Sequence, residues 1–464
     1  LRPEKTFMHS VSRYGAWLLI VTLVAMPVSA GNAVASVDDT ARETGTVPAH
    51  FMAGAADPGV YLVKFTGSPD TSRVDTYLRE QGILLERDYR EVGVYRIRIS
   101  PRADGERALE QLLRLPEVEY VEPDYPLRIA LEPGGGIPLP ADALFGSQWA
   151  LHNTGQLGGI PDADIDAPEA WEHAAALSPV VVAVIDTGID PTHPDLIHRL
   201  WTNPDEIPAN GRDDDHNGYV DDMHGINTIT GSGDPLDDHG HGTHCAGIIA
   251  AEGNNGVGIA GVGEDVRIMA VKFLDDSGSG STSDAIEAIN YAVAEKKKGS
   301  PVRVISASWG NLFYSRSLYK AIFTARSHDI LFVAAAGNYG LLNDVQPFYP
   351  ASYPQDNIIA VAAMDDTDRL APFSSYGTRT VDLAAPGVSI LSTVPGGDYA
   401  MYTGTSMAAP HVAGVAALLF GEQPDASFLH VKKRILSGVD RIPSLGPKVA
   451  SGGRLNALGA LEAP

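Results

Sequence analysis

Three short segments carry side chains that could act together on a polar bond. Val184-Ile185-Asp186-Thr187-Gly188 sets Asp186 at the end of an apolar run. His239-Gly240-His241-Gly242-Thr243-His244-Cys245 opens one helical stretch, and Gly404-Thr405-Ser406-Met407-Ala408-Ala409-Pro410 opens another. A serine hydroxyl becomes a useful nucleophile when a neighbouring imidazole takes its proton. That imidazole needs a carboxylate to fix its tautomer and stabilise its charged form. A serine at a helix N-terminus also sits where free backbone N–H groups favour developing negative charge. Pro410 is best tolerated in a first helical turn, which predicts a helix start close to Ser406. Each segment has a plainer reading alone: a turn after a strand, a metal-binding histidine cluster, or a serine N-cap. Together, in the order Asp, His, Ser, they point to nucleophilic hydrolysis.

The elements that must hold these residues follow from apolar periodicity. Val180 to Ile185 is an unbroken β run, as in a parallel strand buried on both faces. Val266 to Lys272, Val302 to Ala307, Ile330 to Ala335 and Ile358 to Ala362 are four more, with helical stretches at His244 to Ala251, Ser283 to Lys296 and Ser317 to Ser327. This alternation predicts an α/β doubly wound, mostly parallel sheet with helices on both faces, and chemistry at the carboxyl ends of its strands. Before it, Val60 to Phe65, Val94 to Ile99 and Val118 to Val121 read as strands, and Ser72 to Gln81 and Gly105 to Leu115 as helices. That order describes a small α+β ferredoxin-like module. The Gly- and Pro-rich stretch from Leu131 to Pro140 reads as a linker.

The chain has 464 residues, a formal net charge of −24 and one cysteine, Cys245. The acidity argues against a nucleic-acid partner. The lone cysteine excludes an intrachain disulfide, so packing or metal ions must supply stability. Arg2, Lys5 and Arg13 precede an apolar run from Ala16 to Val28, followed by small residues, which is the pattern of a secretory signal cleaved near Ala30 or Ala35. The run is short for a membrane span. The expected organisation is a signal peptide over 1–35, a disordered spacer over 36–57, the small module over 58–130, a linker with a maturation site over 131–142 and the α/β domain over 143–464. The mature product is expected to be extracellular, free of the membrane and monomeric.

The order and sequence of the three motifs resemble the subtilisin-like serine peptidases. The likeness runs from about Ala143 to Ala463, and the segment from Val60 to Leu127, ending Val118-Glu119-Tyr120-Val121-Glu122-Pro123-Asp124, is similar to that family's propeptide. The resemblance implies a serine endopeptidase acting on polypeptides. It implies a triad of Asp186, His241 (rather than His244) and Ser406, an oxyanion donor at Asn338 and a propeptide that inhibits intramolecularly. It further implies that Ser308, Trp309, Gly310 and Gly337 bind substrate, and that Phe348 stands near the floor of the pocket beside the scissile bond, where smaller residues are frequent.

Asp213-Asp214-Asp215-His216-Asn217-Gly218-Tyr219-Val220-Asp221-Asp222 carries side-chain oxygens at alternate positions and a turn glycine, the first half of a calcium loop. Asp213, Asp215 and Asn217 are the best ligands, with Asp221 or Asp222 in place of a distal Glu; a solvated acidic loop is the alternative. By resemblance, a second structural Ca2+ site comprises Asp195, Asn255, the carbonyls of Val257 and Ile259, and Asp142. Cys245 is expected to lie one helical turn from His241 as a buried thiol. A metal-dependent hydrolase would leave Asp186 and Ser406 unexplained and lacks H-E-x-x-H. A non-catalytic binding protein would be expected to have lost a catalytic residue, and none is missing.

Overall fold

The computed structural model describes residues 59–66, 78–79, 83–89, 91–99, 104–115, 117–124, 126–129, 144–173, 177–263 and 265–464. The signal segment, the spacer, the linker and Asp142 lie outside the described residues, as does most of the helix expected over Ser72 to Gln81.

The N-terminal module has strands β1 (Val60–Phe65), β2 (Ile83–Tyr89), β3 (Val94–Ile99) and β4 (Val118–Pro123), with helix α1 (Asp104–Leu113) before β4. They form an antiparallel sheet in the order β2-β3-β1-β4, the ferredoxin-like arrangement. Strand β2 has no counterpart in the sequence reading. Only its two ends are buried and its middle is charged, so apolar alternation does not mark it.

Beyond β5 (Pro126–Ile129), the main domain holds β6 (Val180–Asp186), β7 (Gly225–Asn227), β8 (Val266–Lys272), β9 (Ser279–Ser281), β10 (Val302–Ala307), β11 (Trp309–Gly310), β12 (Leu331–Ala335), β13 (Ile358–Met364), β14 (Leu383–Pro386), β15 (Ile390–Val394), β16 (Asp398–Tyr402), β17 (Asp440–Arg441) and β18 (Gly453–Arg454). Its helices are α2 (Ala167–His173), α3 (His241–Ala250), α4 (Thr282–Lys298), α5 (Arg316–Ser327), α6 (Thr405–Glu422), α7 (Phe428–Ser437) and α8 (Ala457–Glu462). Nine strands form one sheet, β17-β18-β14-β13-β12-β10-β6-β8-β7, with every pairing parallel except β17 on β18.

Strand β6 shows how the layers are specified. Val180, Val182 and Val184 pack with α3 and α6 on one face, while Val181, Ala183 and Ile185 pack with α4 and α5 on the other. A strand covered on both faces needs apolar residues at every position, which is why it reads as a run rather than an alternation. Helix α6 is apolar all round because the sheet, α3 and α7 enclose it. The chain leaves β6 toward β7 and β8 on one side, then returns to β10, β12, β13 and β14 on the other. The resulting switch point lies between β6 and β10, and in open α/β sheets ligands bind at the carboxyl ends of the strands at such a point.

Candidate active site

Asp186 is the last residue of β6, and His241 is the first of α3. The imidazole Nδ1 donates to Asp186 Oδ1 at 2.7 Å, and both side chains are buried. This bond fixes the tautomer, so the lone pair of neutral His241 lies at Nε2, a buried atom with no hydrogen-bond partner among the described residues. Burial alone disfavours the imidazolium, but the Asp186 carboxylate outweighs it and holds His241 well above the ordinary histidine range.

Residues outside the sequence-predicted set fix the approach of α3 to β6. Asp237 accepts from the backbone N–H groups of His239 (3.0 Å), Gly240 (2.9 Å) and Thr243 (2.9 Å), and from the Thr243 hydroxyl (2.6 Å). It thereby satisfies donors that a helix start leaves open. Thr187 donates to Asp237 and accepts from the Gly242 N–H, each at 2.9 Å. Gly242 allows this contact, since a Cβ there would meet the Gly188 carbonyl oxygen at 2.1 Å. Asp237 begins Asp-Asp-His-Gly-His, and its position four residues before His241 is the signal that could have marked it.

Ser406 is the second residue of α6 and is fully buried. Its Oγ donates to the Ser308 carbonyl at 3.1 Å, while the Ser308 hydroxyl donates to the Ser406 carbonyl at 2.8 Å. The helix starts at Thr405, close to Ser406 as expected, but Pro410 lies in its second turn rather than the first. A proline there has no N–H for the carbonyl four residues earlier, which is that of Ser406. The Ser308 hydroxyl and the Cys245 thiol (3.6 Å) serve that carbonyl instead. Cys245 Sγ is also 4.0 Å from His241 Nδ1, so the thiol touches the backbone or side chain of both neighbours; burial pushes it up.

Asn338 follows β12 after Gly337, whose φ of 101° is one that glycine adopts freely. Asn338 Oδ1 accepts from the Thr405 N–H (2.9 Å) and hydroxyl (2.8 Å). Both acceptor contacts fall on the oxygen, leaving Nδ2 buried with no partner among the described residues. An amide nitrogen held this way beside Ser406 is a donor waiting for an acceptor.

His244 is excluded from this role. His244 Nε2 lies 3.0 and 3.1 Å from the carbonyls of Ile390 and Ala400, its ring stacks on Tyr402 at 4.3 Å, and burial lowers it to about 3. It is a neutral core residue.

Strand β5 lies in the crevice. It pairs antiparallel with β11 on one side (Ile129 opposite Trp309, Arg128 opposite Gly310) and with β9 on the other (Pro126 opposite Ser281, Leu127 opposite Gly280). An extended segment of the chain itself thus completes a three-stranded sheet beside Ser406, the geometry of strand addition. Two carboxylates just upstream anchor it. Glu122 accepts from the backbone N–H groups of Arg316 and Ser317 and the Ser315 hydroxyl, each at 2.6 Å, at the start of α5. Asp124 accepts from the Ser283 N–H at 2.6 Å at the start of α4, and burial pushes its carboxyl up to about 6.

Of the expected metal ligands, Asp213, Asp215, Asn217 and Asp222 meet. Asn217 Nδ2 donates to Asp215 (3.0 Å) and Asp222 (2.9 Å), and its N–H to Asp213 and Asp215 (3.0 Å each). Asp221 turns away to the N–H groups of Asn210 and Gly211. Glu206, absent from the sequence reading, joins them: it is 6% exposed, and its Oε2 is buried with no partner among the described residues. Glu206, Asp213 and Asp215 bring carboxylate oxygens within 4.8 Å of one another, a donor set that fits a hard divalent cation. Lys298 reaches Asp215 at 2.5 Å from one side. In the second expected group, Asp195 accepts from Asn255 Nδ2 (2.8 Å), the Ile259 N–H (3.0 Å) and the Tyr399 hydroxyl (2.7 Å), while Val257 is exposed. Asp195 and Asn255 come together there, with the amide nitrogen rather than its oxygen facing the carboxylate.

Comparison with known proteins agrees with this architecture. The Subtilase family profile matches residues 178–459, and the Fervidolysin N-terminal prodomain profile matches residues 58–124. A thermophilic serine proteinase of Bacillus sp. (strain AK1) is 36% identical over 411 residues, 88% of each chain. Thermitase of Thermoactinomyces vulgaris is 39% identical over 303 residues, 64% of this chain and 94% of thermitase. Among solved structures, fervidolysin from Fervidobacterium pennivorans, a keratinolytic enzyme related to subtilisin, superposes with a TM-score of 0.68 at 26% identity. That match covers 88% of this chain and 61% of fervidolysin. The chain belongs to the subtilase family, and it is a subtilisin-like serine endopeptidase carrying a prodomain.

Proposed function

We propose that this chain is the precursor of a secreted, self-processing endopeptidase that cuts polypeptides through an acyl-enzyme on Ser406. The carrying observation is the 2.7 Å bond from His241 Nδ1 to Asp186, which leaves as the base a buried Nε2 with no partner among the described residues. Ser406 Oγ turns from the Ser308 carbonyl and attacks the scissile carbonyl carbon as its proton passes to His241 Nε2. The new oxyanion takes hydrogen bonds from Asn338 Nδ2 and the Ser406 N–H. The C–N bond then breaks as His241 gives its proton to the departing amine. Water, deprotonated by His241, attacks the acyl carbon, the ester C–O bond breaks, and the proton returns to Ser406.

Residues 58–130 act as the inhibitor, with β5 lying along the cleft and Trp309-Gly310 serving as the edge strand for substrate. The signal over 1–35, the spacer over 36–57, the processing linker over 131–142 and the catalytic unit over 143–464 complete the precursor. No helix among the described residues is long and apolar enough to cross a membrane, and the released enzyme is a soluble monomer in this reading. Glu206, Asp213, Asp215, Asn217 and Asp222 hold a structural Ca2+. A second ion lies at Asp195, Asn255, Val257, Ile259 and Asp142 once the Asn255 amide is turned over. Bound calcium neutralises clustered carboxylates and stabilises the folded chain by mass action.

The test is the Ser406→Ala precursor. It should stay full length while the parent chain converts to a shorter product, and added mature enzyme should cut it in trans. Conversion of Ser406→Ala at the parent's rate, in a preparation free of other peptidases, would refute the assignment.

A further inference from the structure

A groove opens beside the loop that joins α3 to β8. Its volume is about 380 Å³, and Phe145, Pro168, Trp171 and Val257 stand in its wall. That size suits a small ligand. Trp171 belongs to α2, and its indole N–H donates to the Val262 carbonyl at 2.9 Å, so what the ring offers the groove is apolar. Its ring lies 6.1 Å from that of Phe145, which is 36% exposed, and Val257 is 41% exposed. His241 opens α3 and the groove lies past the other end of that ten-residue helix, about 15 Å along. It is therefore separate from the cleft at Ser406.

One side chain there does not match the apolar wall. A smaller recess of about 40 Å³ shares Trp171, Gly253 and Asn254 with the groove and adds Arg199 to its lining. The Arg199 backbone is fixed: its N–H donates to Leu196 and its carbonyl accepts from Ile268, each at 2.7 Å. Its guanidinium is not. Nε is buried with no partner among the described residues, and Asp265 stands 3.9 Å from Nη1, beyond hydrogen-bond length. The Arg199 side chain is only 13% exposed, whereas that of Asp265 is 68% exposed. A guanidinium carries five N–H donors and keeps its charge, so sheltering it without acceptors is costly. A bound anion would supply the acceptors.

We propose that Arg199 and the Phe145–Trp171 groove together bind the C-terminal carboxylate of a cleaved peptide whose last side chain is apolar. Both halves of that ligand follow from the site. A carboxylate matches the planar fork of Arg199, and an apolar side chain matches the aromatic wall. The inference rests on the peptidase reading above, since every cut made by Ser406 releases a peptide with a new carboxylate. A chain of net charge −24 repels carboxylates in general, so retaining one needs a sheltered cation such as this. Bound there, the product bridges α2 and the loop after α3, and it stabilises the folded enzyme by mass action.

The experiment uses the processed enzyme, its serine first blocked by a fluorophosphonate, and compares N-acetylphenylalanine with its amide by ligand-observed NMR titration. The acid should bind saturably with a Kd of about 1 mM or tighter. The amide should bind more weakly by about ten-fold or more, as loss of a charge-assisted hydrogen bond implies. Arg199→Met should weaken the acid by the same factor and leave the amide as it was, and Arg199→Lys should recover part of the difference. Before blocking, Arg199→Met should keep the parent's turnover of a short peptide, which shows that it folds. Acid and amide binding alike, or an acid Kd unmoved by Arg199→Met, would overturn the proposal. So would inorganic phosphate or decanoate binding as tightly as the acid, since the first needs no apolar wall and the second no peptide. A serine that cannot be blocked would instead defeat the peptidase reading, and the acid–amide comparison would still decide whether the site exists.

Discussion

Thr405 decides which way the Asn338 amide faces. Its N–H and hydroxyl both donate to Asn338 Oδ1, so the nitrogen is left for the oxyanion. Asn338→Ala should lower kcat by about 10²–10³ with little change in KM, because the bond is made in the transition state. Asp186→Asn should lower kcat by about 10⁴, as loss of the triad carboxylate does. It should also move the acid limb of the pH–rate profile. Only neutral His241 is a base, and Asp186 raises its pKa, so activity falls as pH drops through that raised value. Without the carboxylate the limb shifts to lower pH, which a kcat/KM profile of both forms would read. The placement of Asp186 at the end of β6, His241 and Ser406 at the starts of α3 and α6, and Asn338 just past β12 was legible because each sits in a local motif. Thr405 was not, because it meets Asn338 across 67 positions. Asp237 and Glu206 were not, although much of what they hold lies close in sequence, because acidic residues in polar loops are not singled out by type.

At the scale of elements, the prodomain is fastened by helix starts. Glu122 and Asp124 cap α5 and α4 of the main domain, and Arg87 of β2 pairs with Glu287 on α4. Carboxylates accepting several backbone N–H groups at a helix N-terminus contribute about 1–2 kcal/mol each in partly buried settings. Glu122→Ala with Asp124→Ala should therefore shorten the lag between processing and full activity by about ten-fold or more, followed with a chromogenic peptide. An unchanged lag would mean that strand β5 alone sets the inhibition. The apolar runs that form β6, β8, β10, β12 and β13 were legible, since burial on both faces leaves no room for polar residues. Strand β2, tiny β7 and the β15–β16 hairpin were not. Their positions are set by pairing with neighbours and not by an apolar pattern of their own. The start of α6 near Ser406 was legible, but the tolerance of Pro410 in its second turn was not, since the missing bond is offset by Ser308, a residue 98 positions from Ser406.

For the whole molecule, stability has to come from packing of the double-faced sheet, to which the proposed calcium sites would add. The one thiol is buried and cannot form an intrachain disulfide. Burial, with the neighbouring Asp215 and Glu206 carboxylates adding a smaller part, raises the Asp222 carboxyl to about 6. Removing calcium with a chelator should lower the melting temperature of the processed enzyme by several degrees, since a site at 1,000 times its Kd contributes about 4 kcal/mol. Glu206→Gln should abolish most of the calcium-dependent part while leaving kcat of the folded enzyme unchanged, read by calorimetry and peptide turnover in parallel. Equal melting temperatures with and without the ion would remove calcium from the account and leave the acidic loop a solvated one.

The central claim is that Ser406 is an activated nucleophile in a chain that frees itself from its prodomain. Mass spectrometry of the purified, processed chain after treatment with a fluorophosphonate tests it most directly. One adduct, on the Ser406 peptide of a chain that has lost its prodomain, is the predicted result. A folded, processed chain that carries no adduct, or carries it on another serine, would contradict the account.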